Sequence, residues 1–405
     1  MTPLLSIAVP THNRARYAVH AIRSLLSLQD ARLEVVVSDT STDGELARWV
    51  AGSEDAKDPR LVYFRPPERL DMTGNHNAAL AACRGGYVCL IGDDDTVTAD
   101  AVAAAAWAHE QGVEVIAPNV VANYVWPDFR SRYFGAGHAS RLYIAREMGH
   151  GRMADAAQAF EAALTQAAQG TDGLPKIYHG IVDRRLLERV RQRSGQYFHG
   201  SSPDVSGAIG LAMCCERFLV VDYPLTIPGA SGGSNTGRSA MNTHKGKLSQ
   251  ESQTSAFEAQ GWSVGVPRFF AVETVWAHAA LETIRRIDAS RLARFNFARL
   301  LAACTELHPE FAAEIDAAKA EAGACNGLPA PELERRIAQE RWQFRQTRWR
   351  RLLGRALRPT AAGGRAYVGG LETVAQAPAA LAQRMARLGM SWAVTAADLS
   401  PVRRA

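Results

Sequence analysis

The chain holds only six cysteines in 405 residues, and none of them forms a Cys-x-x-Cys pair. Positions 83, 89, 214, 215, 304 and 325 sit mostly within apolar segments. They read as core thiols of a reducing compartment, not as zinc ligands or a disulfide frame. No apolar run approaches the ~18 residues needed to span a bilayer, and no basic-plus-apolar leader precedes the first strand. Both gaps point to a cytoplasmic protein, soluble or peripheral on the inner face of the membrane. No nucleic-acid-binding motif is present, so nucleic acid is not an expected partner. Acidic residues all but vanish from 335–358, where Glu340 stands alone among nine arginines. Otherwise 47% hydrophobic and 21% charged residues describe a globular chain with length for two domains, and disorder is not its default.

What is present begins with Asp93-Asp94-Asp95, directly after the apolar run Tyr87-Val88-Cys89-Leu90-Ile91-Gly92. A buried parallel strand that delivers carboxylates to the edge of a sheet has this form, and ligands of open α/β sheets bind beyond such ends. Hard divalent cations take oxygen ligands, and Mg²⁺ commonly uses one or two carboxylates plus substrate phosphates. The plainer alternative is a solvated loop before a helix that Thr98 caps. Earlier segments bear on that choice. Residues 4–9 form an apolar strand, followed by Pro10-Thr11-His12-Asn13-Arg14 and a helical spacing of Ala18, Ile22, Leu25 and Leu26. Residues 33–37 are a second strand, ending in Ser38-Asp39-Thr40-Ser41, and 61–64 a third, before Thr73-Gly74-Asn75-His76-Asn77. This alternation predicts an α/β fold with a doubly wound, mostly parallel sheet. Right-handed crossovers would bring the polar ends around Thr11, Asp39 and Asp94 to one rim.

Together these residues resemble the inverting family-2 glycosyltransferases with the GT-A (Rossmann-like) fold. Ser6 to Arg14 is similar to that family's opening strand and loop, and Val36 to Asp43 to its second-strand signature, with Ser38 where an aspartate is more usual. Asn77-Ala78-Ala79-Leu80 with Gly85-Gly86-Tyr87-Val88 resembles the next block, although His76 stands where an arginine is common. Gly92-Asp93-Asp94-Asp95 resembles the metal-binding Asp-x-Asp-Asp, with Gly92 in place of the first aspartate. The likeness spans about residues 4 to 230. It implies that Pro10, Thr11, Asn13, Asp39, Asn77 and Asp93 contact the nucleotide, with Asp39 against the base and Asp93 near the ribose or a metal-bound water. It implies Asp94 as ligand of a divalent metal (Mn²⁺ or Mg²⁺) and Asp204 as general base. Asp39 in an Asx turn, and Asp204 as a mere complement to a helix dipole, are the alternative readings. Asp95 would hold its loop, and His179 reads as structural.

Three regions follow: a catalytic domain over 1–230, a Gly/Ser-rich loop over 231–255, and a helical C-terminal region over 256–405. The loop is a candidate lid, with Arg238, His244 and Lys245 closing on a diphosphate. The basic Arg/Trp helix at 335–358 would meet a membrane surface or a partner protein. The expected function is transfer of a sugar from a nucleotide diphospho-sugar, UDP-linked by preference, to a hydroxyl of a saccharide or glycolipid acceptor in envelope polysaccharide synthesis. The rivals are a degenerate nucleotide- or partner-binding module without turnover and a sugar nucleotidyltransferase. The latter wants a Gly-rich basic loop where Pro10-Thr11-His12-Asn13 stands.

Overall fold

The computed structural model describes residues 2–251, 254, 257, 261–356 and 360–399. Its centre is an eight-stranded sheet. Strands β1 (Leu5–Thr11) and β2 (Leu33–Asp39) are buried at every position, as strands covered on both faces must be. They pair in parallel from Leu5↔Leu33 to Thr11↔Asp39, so register alone sets Thr11 beside Asp39 at the carboxyl rim. Strand β3 (Leu61–Phe64) extends the sheet past β2. Strand β4 (Tyr87–Leu90) lies on the other side of β1, with Ala8 opposite Leu90. Counting on from that pair brings Asp93 level with Thr11. Helix α1 (Ala15–Leu26) makes the first crossover and buries Ala18, Ile22 and Leu25, the face its spacing predicts.

The parallel block stops at β4. Its next neighbour, Ile181–Asp183, runs antiparallel to both β4 and Val115–Pro118, and Arg217–Val221 and Gly151–Asp155 complete the sheet. The α/β expectation thus holds with a mixed sheet. Three residues, Ile-Val-Asp, are too few to carry a period, and apolarity encodes burial without encoding strand direction.

The chain beyond residue 256 divides between two cores. Helices Val272–Asp288, Phe297–Leu307 and Ala312–Asn326 build one core with the Pro203–Ala212 helix, joining Ile284, Leu300 and Ile315 to Val205 and Ile209. The stretch after 360 returns to the other. Strand Ala366–Gly369 pairs with Arg141–Ile144 in a second sheet of four strands, and Leu381, Met385 and Trp392 pack into the core shared with α1 and β1. Burying Leu381 and Met385 stabilises that return by roughly 1.5–3 kcal/mol each. No described helix is long and apolar enough to cross a membrane.

Three imidazoles are held as low as about 4 by desolvation, and one is His76, bonded to the Met72 carbonyl at 2.7 Å. His278 stacks on Trp262 at 4.2 Å and bonds to Ser263, while His199 lies buried ahead of the Pro203–Ala212 helix. Desolvation pushes both down to about 4. Unfolded histidine titrates near ~6.5, so between there and about 4 the unfolded chain binds more protons and stability falls with falling pH. The melting temperature is expected to drop across that window, and by less in a His278→Gln variant. A flat melting profile in the wild type would rule out neutral burial.

Candidate active site

The carboxyl ends of β1, β2 and β4 open into a cleft of about 1230 Å³. Pro10, Thr11, Asp39, Asp93 and Asp94 line its floor, and Arg14, Arg65, Arg69 and Arg238 add cationic walls. Segments 229–238 and 65–76 enclose the sides.

The three aspartates are all buried, and each has its own set of partners. Asp93 accepts from the Thr11 hydroxyl at 2.6 Å and from Arg14 Nε at 2.7 Å. Asp94 meets the other arm of Arg14 at 3.0 Å and accepts from the Ser231 hydroxyl at 2.6 Å. Asp95 accepts from the amides of Gly92 and Gly229, both at 2.6 Å, from the Tyr178 hydroxyl at 3.0 Å, and faces His179 Nε2 at 3.1 Å. It is the anchor of the loop, as its position after the strand suggests. Desolvation pushes the carboxyls of Asp93 and Asp94 up although Arg14 pulls them down. For Asp95 desolvation is outweighed by His179 and the two amides, which hold it below the usual carboxylate range.

Asp93 and Asp94 therefore share one guanidinium, and the buried charge is under-compensated. Two hard carboxylates facing a polar cleft suit Mg²⁺ or Mn²⁺, with phosphate and water completing the shell. Among the described residues no group of three or more His, Cys, Asp or Glu forms a cage made by protein alone. Gly92 has a steric reason. A Cβ there would lie 2.8 Å from the Tyr178 hydroxyl and 2.9 Å from Asp95 Oδ2, so an aspartate does not fit without displacing both. Gly229 is tighter still, since its Cβ would sit 1.9 Å from the Asp94 carbonyl oxygen.

The other anticipated residues are distributed unevenly. Asp39 lines the cleft, with one oxygen in an Asx turn to the Ser41 amide at 2.8 Å and the other on the Tyr63 hydroxyl at 2.7 Å. Asn13 is outside the lining and ties two loops together, accepting from the Thr42 amide at 2.7 Å. Asn77 is also outside it. Its amide oxygen accepts from the Tyr197 and Phe198 amides, both at 3.0 Å, and its nitrogen donates to the Phe198 carbonyl at 3.1 Å, which fixes the chain ahead of the Pro203–Ala212 helix. Asn75 lines the cleft in its stead, bonding Ser38 at 2.7 Å and the Thr11 carbonyl at 3.1 Å. Asp204 stands in the first turn of its helix, bonded to the Ser202 hydroxyl, and is not among the cleft-lining residues. Its charge reaches Tyr178, whose hydroxyl is pushed far up by desolvation and then by Asp95, Asp94 and Asp204.

Within the candidate lid, positions 252, 253 and 255 lie outside the described residues, as do 357 and 358 of the basic segment. Arg238 lines the cleft with its guanidinium on Glu251 at 2.7 Å. His244 packs edge-on against Phe270, and Lys245 pairs with Glu310 at 2.5 Å, both apart from the lining. Sequence reading gives no role to Arg14 or Ser231. The signal for Arg14 is faint: a cation in the loop after β1, a few residues beyond a strand that neighbours the aspartate strand. Ser231 has no local signal, because 137 positions separate it from Asp94.

Residues 6–153 match the family model described as Glycosyl transferase family 2. Escherichia coli K12 WcaA, a glycosyl transferase assigned to colanic acid biosynthesis, is 35% identical over 98 residues, 24% of this chain and 34% of that protein. The Campylobacter jejuni GalNAc(5)-diNAcBac-PP-undecaprenol beta-1,3-glucosyltransferase is 31% identical over 101 residues, 25% of this chain and 32% of that one. The match thus spans about a third of the length of these curated relatives. Staphylococcus aureus TarS 1–349, crystallised with UDP-GlcNAc, superposes with a TM-score of 0.46 at 14% identity, over 85% of this chain and 92% of that one. The family-model match to Glycosyl transferase family 2 thus covers residues 6–153, less than half of the chain.

Proposed function

We propose that the protein is a metal-dependent, inverting glycosyltransferase that moves a sugar from a nucleotide diphospho-sugar, UDP-linked by preference, to a hydroxyl of a saccharide or glycolipid in polysaccharide synthesis. Its support is one observation: the buried, under-neutralised pair Asp93 and Asp94 floors a cationic cleft inside a family-2 domain. Residues 1–230 would be the catalytic unit and 231–255 the segment that closes on the donor.

Asp39 would accept the imide N–H of a uracil, held in place by the Ser41 amide and the Tyr63 hydroxyl. Arg14, Arg65 and Arg238 would meet the diphosphate, each by exchanging a carboxylate partner it already has. A divalent ion on Asp94 and Asp93 would supply Lewis-acid stabilisation of the leaving diphosphate. Asp204 would take the proton of the acceptor hydroxyl as that oxygen bonds to the anomeric carbon. The bond from that carbon to the diphosphate oxygen breaks, and its electron pair leaves with the diphosphate. The Ser202 hydroxyl donates to Asp204 and would orient its carboxylate for that transfer.

Calorimetric titration of UDP, GDP and TDP, each with Mn²⁺ and with EDTA, tests the donor half. One nucleotide is expected to bind only with metal, and at least about tenfold more weakly to Asp94→Asn. No binding by well-folded protein sinks the enzyme reading and promotes a degenerate binding module. Asp204→Asn is expected to keep nucleotide affinity while transfer falls by about 10²–10⁴-fold; unchanged transfer would move the base elsewhere. Gly92→Asp, which adds a carboxylate at the same rim, is expected to lower both melting temperature and nucleotide affinity, because it displaces Tyr178 from Asp95. Tighter metal-dependent binding in that variant would contradict the steric account.

A further inference from the structure

The helix Ala330–Ala356 has two faces of opposite character. On one, Leu333 and Ile337 are buried, Glu340 bonds Arg299 at 3.1 Å, and Phe344 lies under the Arg299 guanidinium at 5.8 Å. Spacing of three and four residues puts all four on the side that packs against the Phe297–Leu307 helix. The opposite face carries Trp342, Arg345, Trp349 and Leu352, again three and four apart. Trp342 is 62% exposed, Trp349 65% and Leu352 53%. All eight tryptophans lie among the described residues, and of these Trp342 and Trp349 are the exposed two. A single exposed apolar side chain needs no explanation, but a stripe of three on one helix does.

Charge selects the occupant. Residues 341–358 hold seven arginines and no acidic residue. Arg341 and Arg345 reach Glu306 at 2.7 and 2.9 Å, while Arg348 and Arg350 flank the tryptophan stripe and are exposed. An apolar stripe edged by cations is the pattern of a helix lying in a bilayer interface, with indoles at headgroup level and guanidinium groups on phosphates. We propose that the face Trp342–Arg345–Trp349–Leu352 docks this protein on an anionic lipid surface, lying in the plane of the membrane without crossing it. The proposal stands whether or not the cleft transfers sugar, and its test uses no substrate.

The full chain is sedimented with vesicles of phosphatidylcholine alone and with vesicles containing phosphatidylglycerol, at low and high salt. Binding is expected with phosphatidylglycerol, weaker at high salt, together with a blue shift of tryptophan emission. Trp342→Ser combined with Trp349→Ser, and separately Arg348→Gln combined with Arg350→Gln, are each expected to weaken it at least about tenfold at an unchanged melting temperature. No binding of the wild type to phosphatidylglycerol vesicles overturns the proposal, as does equal binding by both variants. Self-association in solution that the tryptophan variant abolishes, without lipid binding, also overturns it and makes this face a contact between copies.

Discussion

Everything at the rim of the sheet answers to one constraint: three consecutive aspartates are buried, and their charge must be met from inside the protein. Isolated buried carboxylates cost several kcal/mol each, so none is left to itself. Arg14 spans Asp93 and Asp94, and Asp95 has two amides, a phenol and an imidazole. These partners come from four stretches of chain: the loop after β1, the turn at Gly92, Tyr178-His179, and the segment from Gly229 to Ser231. The aspartates are therefore the point at which distant segments are pinned together, and their chemistry cannot be altered without moving the cleft walls.

The same arrangement makes the site responsive to a charged ligand. Arg14 is held by attraction to two carboxylates whose charged form desolvation disfavours. On the proposed function, a diphosphate would offer Arg14 a second anion, and a divalent cation would offer Asp93 and Asp94 a second partner. Each exchange would favour the other, because releasing the arginine would leave the carboxylates in want of a cation. Arg238 on Glu251 and Arg65 at 3.9 Å from Asp39 follow the same logic at the cleft walls.

The strand ends are legible in the sequence because a parallel register converts position along the chain into position in space. Thr11 opposite Asp39, and Asp93 level with Thr11, need only three apolar runs and the rule of right-handed crossover. What fails to show is whatever depends on a side chain's choice between neighbours. Asn75 and Asn77 lie two residues apart on one helix, and the helical rotation between them sends one into the cleft and the other to the 197–198 backbone. The antiparallel Ile181–Asp183 and the return of Ala366–Gly369 to the first half are equally silent, since each is a short apolar segment whose partner lies far along the chain. Gly92 is the instructive case. As sequence it is a lost ligand, whereas in the structure it is the clearance that Tyr178 and Asp95 require.

Tyr178 then links the two halves of the proposed chemistry. Its backbone bridges Leu90 at the end of β4, its hydroxyl donates to Asp95, and it feels the charge of Asp204 from the second core. Desolvation among three carboxylates keeps the phenol protonated, so it is a fixed donor and not a base. The isolated bridge to β4 gives the segment rigid backbone support where a free loop would wander. The Tyr178 segment is thus tied to the end of β4 by backbone and to the aspartate loop by one hydrogen bond, while Asp204 acts on it through charge. A displacement reaction needs base and leaving-group stabiliser on opposite sides of one carbon, and a misplacement of about 1 Å is costly. The backbone of this segment is itself tightly constrained: His179 is left-handed, and a Cβ at Gly180 would sit 1.6 Å from the Lys176 carbonyl oxygen.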